Sequence, residues 1–171
     1  RGASTIVSAA TRLKAKGGYD TVLIADGSRL SAIGAAQLKK AGAALPRLLG
    51  TELWSGEEDV AKAASLRGAW FSAVSDSRWG RFASSYKSRF GAQPYRVATL
   101  GYDAVLLTLR IAREWTPGRD FPAAKLFDDT GFLGIDGAFR FRPGGVAERA
   151  MEVRQVGGGT VTVVSPAPTQ F

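Results

Sequence analysis

The stretch TVLIADGS, residues 21–28, decides the fold predicted for this chain. Its first five residues form a short apolar run that is rich in β-branched side chains, which is typical of a strand buried on both faces. The turn-forming residues Asp26, Gly27 and Ser28 follow directly, and an apolar helical periodicity then continues until Gly42. A buried strand, a polar turn and a helix in this order are the unit from which parallel α/β sheets are built.

The same pattern repeats on both sides of this unit. A helix is predicted over residues 4–16 before it, and two further strands are predicted over residues 47–51 and 69–74 after it. Between those two strands, SGEE at residues 55–58 matches a capping box, in which a serine hydroxyl and a glutamate carboxylate satisfy the first amides of a helix. Strands that alternate with helices through short turns predict an α/β fold, a parallel sheet with flanking helices and right-handed crossovers.

The middle of the chain, residues 76–129, contains helical patterns and no strand pattern. Aromatic residues spaced three and four apart predict a helix over residues 76–90, and a second helix with two apolar faces is predicted over residues 95–115. A shorter helix is predicted at about residues 122–128. These apolar faces need a sheet that the sequence does not provide. We therefore expect a truncated chain whose helices at residues 76–115 pack abnormally, pair with a second copy, or expose apolar surface.

The end of the chain predicts β-structure. FRFR at residues 139–142 alternates apolar and basic side chains, which indicates a half-buried strand. Two more strands are predicted over residues 150–156 and 160–164, and the glycine triplet at residues 157–159 between them is typical of a tight hairpin.

The composition narrows the chemistry. The chain contains no Cys and no His, which excludes thiol nucleophiles, Ser-His-Asp triads and metal sites built from these ligands. No cofactor and no metal are predicted. The net charge of +8 can attract nucleic acid, but the basic residues are scattered along the chain, so we predict a solvated surface and no nucleic-acid partner. No run approaches the roughly 18 apolar residues of a membrane span.

Polar residues follow each of the three predicted parallel strands. They are Asp26, Gly27 and Ser28 after the first, Glu52 and Trp54 after the second, and Ser75 and Asp76 after the third. Ligands of open parallel sheets bind outside the carboxyl ends of the strands. These residues therefore predict a site for a small polar ligand, for example one whose ammonium group faces Glu52 or Asp26. The alternative is helix capping for Asp26, Ser28 and Ser55, and plain packing for Trp54.

Seven short stretches, in their order along the chain, resemble a known family. They are YDTVLI at 19–24, LLGTELW at 48–54, RGAWF at 67–71, the F…Y…FG..P pattern at 82–94, GYDA at 101–104, GIDGAFRF at 134–141 and EVRQVG at 152–157. They resemble the carboxy-terminal half of type 1 periplasmic binding proteins, the branched-chain amino acid receptors of bacterial ABC importers. The resemblance implies a two-lobed fold. Residues 1–75 would be a second-lobe βαβαβ segment, residues 76–130 helices of the first lobe, and residues 131–171 the hinge and the return strands with a C-terminal β-hairpin.

A subgroup is more similar still. GTELW at 50–54, GAWF at 68–71 and FRFRP at 139–143, with AER at 147–149, are similar to proteobacterial penicillin-binding protein activators. These are envelope lipoproteins with the same fold in their carboxy-terminal domain. The similarity implies contact with a peptidoglycan synthase in place of solute delivery.

The family resemblance implies a non-enzymatic ligand-binding protein that lies in the periplasm or cell envelope, lipid-anchored in its full-length form, with an ABC permease as partner if it is a receptor. Glu52 matches the acidic position that holds the ammonium group of an amino acid ligand. Gly27 and Ser28 match the segment that offers an aromatic side chain, which is absent here. Two alternatives come from the residues alone: an enzyme that uses Glu52 and Asp26 as paired carboxylates, and a nucleic-acid-binding regulator.

Overall fold

The TVLIADGS stretch forms the first strand and the start of the second helix in the computed structural model. Strand β1 is Thr21–Ile24 and helix α2 is Ser28–Lys39. The neighbouring elements are helix α1 at Ala3–Lys16, strand β2 at Arg47–Gly50, helix α3 at Glu58–Lys62 and strand β3 at Trp70–Ala73. The structure describes residues 2–39 and 47–171, so the helix end predicted at Gly42 lies outside the described residues.

The chain divides into two units. The first unit contains the residues up to Ala73 together with Glu152–Pro166, and the second contains Val74–Met151 and Ala167–Phe171. Strands β7, Glu152–Val156, and β8, Val161–Ser165, therefore belong with the amino-terminal strands, although most of the second unit separates them in sequence. The assignment of these segments to the lobes of a complete protein stays a prediction.

The sheet of the first unit has the strand order β1-β2-β3-β7-β8. Strands β1, β2 and β3 are parallel, with Ile24 opposite Gly50 and Gly50 opposite Phe71, whereas β7 and β8 add an antiparallel hairpin. The predicted parallel sheet and C-terminal hairpin are both present. Because β1, β2 and β3 are parallel neighbours, the loops that follow these strands emerge at one edge of the sheet.

The core of the first unit lies on one face of this sheet. Val22 and Ile24 of β1 are buried in it, and α1 and α2 contribute Ala10 and Leu38. Leu23, on the other face of β1, is 61% exposed. The prediction that β1 is buried on both faces is therefore wrong. Its continuous apolar run reflects the β-propensity of branched side chains, not burial on two sides.

The predicted capping box is also wrong. Ser55 directly follows a short 3-10 helix, Glu52–Trp54, and its N–H donates to the Glu52 carbonyl at 2.8 Å. Helix α3 begins at Glu58, and its N-cap residue Glu57 makes no side-chain capping bond. The extra turn moves the helix N-cap from Ser55 to Glu57, two residues further along, so Ser55 and Glu58 cannot form a capping box.

The second unit combines two helices with a small antiparallel sheet. Its elements are α4 at Trp79–Phe90, α5 at Ala98–Ala112, a 3-10 helix at Ala123–Phe127, and strands β4 at Phe132–Gly134, β5 at Gly137–Arg142 and β6 at Val146–Arg149. The strand order is β4-β5-β6. The sequence predicted β5 alone, because β4 has only three residues and VAER in β6 lacks apolar alternation.

Helix α5 packs on this small sheet along one stripe only. Leu107 and Ile111 form a buried cluster with Phe132 of β4 and Phe139 of β5. The remaining large aliphatic residues of α5 stay exposed in the described chain; they are Leu100, Val105, Leu106 and Leu109. The sheet that the sequence did not reveal therefore covers part of the apolar surface of α5 and leaves a second surface open.

Candidate functional site

The turn after β1 is held by hydrogen bonds to its own backbone. Asp26 Oδ1 accepts from the Gly27 N–H at 2.8 Å. The Asp26 carbonyl accepts from Ser31 Oγ at 2.9 Å and from Trp54 Nε1 at 3.0 Å. The carboxylate of Asp26 thus stabilises the turn through one oxygen, and the two bonds to its carbonyl fix where that carboxylate lies.

Trp54 connects the ends of β1 and β2. Its side chain is 1% exposed, its ring centroid lies 5.7 Å from that of Phe71, and its Nε1 is shared between the Asp26 carbonyl and Ser31 Oγ, the latter at 3.0 Å. The ring lies over Gly50, where an added Cβ would come within 2.5 Å of it. Trp54 therefore packs beneath the loops that follow β1 and β2. Its contact with a ligand stays a prediction.

Ser28 begins α2 and is buried. Its hydroxyl donates to Glu57 Oε2 at 3.4 Å, which joins the first turn of α2 to the residue before α3. The sequence placed Glu57 only within the predicted capping box at residues 55–58. The packing of α2 beside α3 brings Glu57 next to Ser28, and the 29-residue separation between them gives no sign of this in the sequence.

Glu52 lies on the 3-10 helix after β2, and its side chain is exposed. Its carboxylate makes no hydrogen bond or ion pair with another residue that the structure describes. The preceding residue, Thr51, carries a hydroxyl that is buried and lacks a hydrogen-bond partner within the same described chain. A buried hydroxyl without a hydrogen-bond partner costs free energy. At this edge of the sheet, the Thr51 hydroxyl and the neighbouring Glu52 carboxylate both lack a partner within the described chain. Asp26, Thr51, Glu52 and Glu57 are called the carboxylate edge below.

The remaining predicted site residues, Ser75 and Asp76, follow β3 and belong to the second unit. Ser75 Oγ contacts Ser77 Oγ at 3.1 Å and accepts from the Ser77 N–H at 3.3 Å. Asp76 Oδ1 accepts from Arg96 Nη1 at 2.5 Å, and the Ser75 carbonyl accepts from Arg96 Nη2 at 3.2 Å. Their contacts within this unit are thus with a polar cluster at the start of α5.

Arg96 is the centre of that cluster, and the sequence did not single it out. Its Nε and Nη2 donate to Asp136 Oδ1 at 2.9 and 2.7 Å, and its guanidinium lies 4.7 Å from the ring centroid of Trp79. Asp136 Oδ2 also accepts from Thr99 Oγ1 at 2.5 Å. Arg96 therefore ties the segment after β3 to the turn between β4 and β5. Its bonds to Asp136 join residues 40 positions apart, a contact that no local pattern predicts.

A second missed pair lies in β7. Arg154 Nε donates to Glu152 Oε1 at 2.6 Å, and both side chains are largely buried. Glu152 is opposite Ala73, the last residue of β3. The antiparallel strand thus places an acidic side chain level with the carboxyl end of the parallel strands. Glu152 and Arg154 are two positions apart in the strand EVRQV and therefore share a face of the sheet. This spacing of opposite charges was the sequence signal that could have indicated the pair.

The described residues offer no cluster of acidic side chains arranged to hold a metal ion. Among their helices, none combines the length and the apolar character that a membrane crossing needs.

No protein-family model matches this sequence, and no curated protein matches it. Solved structures do resemble it. A leucine-binding protein, LivK, of Thermotoga maritima is 21% identical, with a TM-score of 0.58 over 96% of this chain and 48% of that chain. A periplasmic ligand-binding protein of a branched-chain amino acid ABC transporter from Burkholderia xenovorans is 18% identical, with a TM-score of 0.63 over 92% of this chain and 46% of that chain.

The carboxy-terminal domain of LpoA from Haemophilus influenzae, described as a regulator of PBP1A, is also similar. It is 16% identical, with a TM-score of 0.59 over 95% of this chain and 49% of that domain. The fold is therefore that of the type 1 periplasmic binding proteins, as the sequence predicted. The chain spans about half the length of these structures. Those structures are named as binding or regulatory proteins, so this fold serves both solute binding and regulation.

Proposed function

We propose that this chain is part of a non-enzymatic binding protein that holds an amino acid or a similar small polar ligand at the carboxylate edge. The observation that carries this proposal is the exposed carboxylate of Glu52, which makes no hydrogen bond or ion pair with another described residue and stands at the carboxyl end of the parallel strands. A ligand ammonium group would make charge-assisted hydrogen bonds with Glu52 and Asp26.

Titration calorimetry with leucine, on the full-length protein that contains this chain, tests this proposal. Glu52→Gln keeps the shape of the side chain and removes its charge, so we expect affinity to fall by roughly tenfold or more. The matched control is Glu58→Gln, which changes another exposed carboxylate, one whose ion-pair partner is Lys62 on its own helix. Unchanged affinity in Glu52→Gln would exclude this edge as the amino acid site, and an absence of binding to any amino acid would exclude the receptor function.

A second function, regulation of a peptidoglycan synthase, is favoured by a different observation. Trp54 and Ser28 are buried and engaged with protein atoms, and the turn at Gly27 carries no aromatic side chain, so the edge presents few groups to a solute. A regulator of this kind needs a protein-binding surface and no closed pocket. Binding to a purified peptidoglycan synthase, measured by biolayer interferometry, tests it. The expected affinity is the same for the unchanged protein and for Glu52→Gln.

Both functions carry a proposed location in the periplasm or cell envelope, with a lipid anchor on the full-length protein. The partner would be an ABC permease for a receptor and the synthase for a regulator. Metabolic labelling with palmitate followed by membrane fractionation tests the anchor. A labelled, membrane-bound protein is the expected result, and an unlabelled protein recovered only from the soluble fraction would contradict it.

A further inference from the structure

An apolar groove of about 650 Å³ lies beside α5 in the second unit. Helix α5 contributes Leu100, Ala104 and Leu107 to its walls, and β5 contributes Phe139 and Phe141. This volume falls within the roughly 300–1,000 Å³ that small-molecule sites occupy, and such sites combine mostly apolar walls with a few polar groups that orient the ligand.

Arg149 brings a guanidinium to this groove, and no hydrogen-bond acceptor for it lies among the described residues. It lines the groove from β6, opposite Phe139 in the sheet, and its guanidinium lies 5.3 Å from the Phe139 ring centroid. Its Nη1 is buried and has no hydrogen-bond partner among the residues that the structure describes. A buried donor of a charged group without an acceptor is costly, so an occupant with an anionic oxygen would be favoured at this position.

The acidic residues near Arg149 are engaged elsewhere. Glu148 also lines the groove, but its Oε2 accepts from Arg140 at 2.6 Å and pairs with Arg142 at 3.1 Å, and these two guanidinium groups hold the pKa of its carboxyl below the usual value. Asp103 interacts electrostatically with Arg149 but is not hydrogen-bonded to it, because both oxygens of Asp103 accept from the Ile135 N–H at 3.0 Å. The positive charge of Arg149 thus has no hydrogen-bonded counterion in the described chain.

We propose that this groove binds an apolar carboxylate, whose acyl chain lies along α5 and β5 and whose carboxylate pairs with the guanidinium of Arg149, which lines the groove. The apolar walls require a ligand with a hydrocarbon body, and the unsatisfied guanidinium selects an anionic head group over a neutral or cationic one. This site lies wholly in the second unit, uses no residue of the carboxylate edge, and does not depend on the function proposed for that edge.

The test is titration calorimetry of the full chain with three ligands that share one hydrocarbon tail, decanoate, decanol and decylamine, each below its micelle concentration. Decanoate is expected to bind roughly tenfold more tightly than decanol, and decylamine more weakly than either. Arg149→Gln should bring the affinity for decanoate down to that for decanol and leave the affinity for decanol unchanged. Arg113→Gln, which removes an exposed guanidinium at the end of α5, is the matched control and should change neither.

A second variant tests the groove without touching the charge. Ala104 is exposed on α5 and lines the groove, so Ala104→Phe fills the groove from the helix surface and should abolish binding of both decanoate and decanol. Circular dichroism checks that each variant is folded. The proposal is overturned if the folded chain does not bind decanoate, if decylamine binds as tightly as decanoate, or if Arg149→Gln binds decanoate with unchanged affinity. Binding that survives Ala104→Phe would also overturn it.

Discussion

Asp136 is the residue on which the polar cluster of the second unit depends. It is 5% exposed, and its two oxygens accept three hydrogen bonds, two from Arg96 and one from Thr99. A buried carboxylate is tolerated only when its charge is paired and its oxygens are hydrogen-bonded, and both conditions are met here. The cluster therefore holds three distant segments together by charge and hydrogen bonding, not by apolar packing.

We expect Asp136→Asn to destabilise the chain by about 1.5–3 kcal/mol. The amide removes the charge that pairs with Arg96, and its NH2 group replaces an oxygen that accepts a hydrogen bond, so that two donors face each other. Chemical unfolding in urea measures this loss. Asp129→Asn is the control: Asp129 pairs with Arg142 at 3.1 Å, but its side chain is 90% exposed, so the expected loss is under about 1 kcal/mol. Equal losses in the two variants would show that the Asp136 cluster does not stabilise the fold.

Asp103 gives the chain a pH dependence of a definite sign. Burial raises the pKa of the Asp103 carboxyl above its ordinary value, while the Ile135 N–H opposes the shift. Between its pKa in the unfolded and in the folded chain, the folded state keeps a proton that the unfolded state releases. The contribution of Asp103 to stability is therefore complete below this interval and is lost as the pH rises through it.

We therefore expect Asp103→Asn to lose less stability than the unchanged chain when the pH is raised from below the ordinary aspartate range to neutrality. Urea unfolding at a series of pH values measures the difference. Asp128→Asn should act in the opposite direction, because hydrogen bonds from Thr130 lower the pKa of the Asp128 carboxyl and its contribution is lost as the pH falls. Identical pH profiles for Asp103→Asn and the unchanged chain would contradict this account.

The sequence predicted which residues follow the strands, and their contacts with a ligand stay a prediction. Asp26, Ser28 and Trp54 stand where a parallel sheet should carry its ligand contacts, and they do lie in one neighbourhood. The sequence could not show that the Trp54 N–H donates to Ser31 and to the Asp26 carbonyl, because those bonds join residues more than 20 positions apart. The Arg96 cluster was missed for the same reason.

Among the elements, β2 fixes the carboxylate edge through the close packing of Trp54 on its last residue. Gly50 ends this strand, and the Trp54 ring occupies the space that a side chain would take. The element order up to β3 follows from apolar periodicity and was predicted. Strands β4 and β6 were not, because three residues are too few to show alternation and because a strand of VAER owes its place to hydrogen bonding with β5.

We expect Gly50→Ala to destabilise the chain by about 1–3 kcal/mol, since the added methyl group must displace the buried Trp54 ring. Gly101→Ala in α5 is the matched control, because nothing lies within 4 Å of its added Cβ. This change should stabilise the chain by about 0.5–1 kcal/mol through helix propensity. Thermal unfolding gives both values. A Gly50→Ala variant as stable as the unchanged chain would mean that the ring does not pack closely on β2.

For the whole molecule, the unequal coverage of the two faces of α5 is the main consequence of the fold. One stripe packs on β4 and β5, while Leu106 and Leu109 remain about half exposed in the described chain. Apolar residues clustered on one helix face are typical of an interaction surface. The chain spans about half the length of structures with the same fold, so we infer that this surface packs against another polypeptide segment when one is present.

The 171-residue chain by itself should therefore self-associate through α5. We expect light scattering after size exclusion to show dimers or larger species whose population grows with protein concentration. Leu109→Glu places a charge on this surface without removing a core side chain, because Leu109 is 57% exposed, and should shift the population towards monomer. Leu23→Glu, at a residue 61% exposed on β1 of the first unit, is the matched control and should leave the distribution unchanged. A chain that stays monomeric at every concentration would contradict self-association through α5. An equal response to Leu109→Glu and Leu23→Glu would show that the association does not depend on the α5 surface.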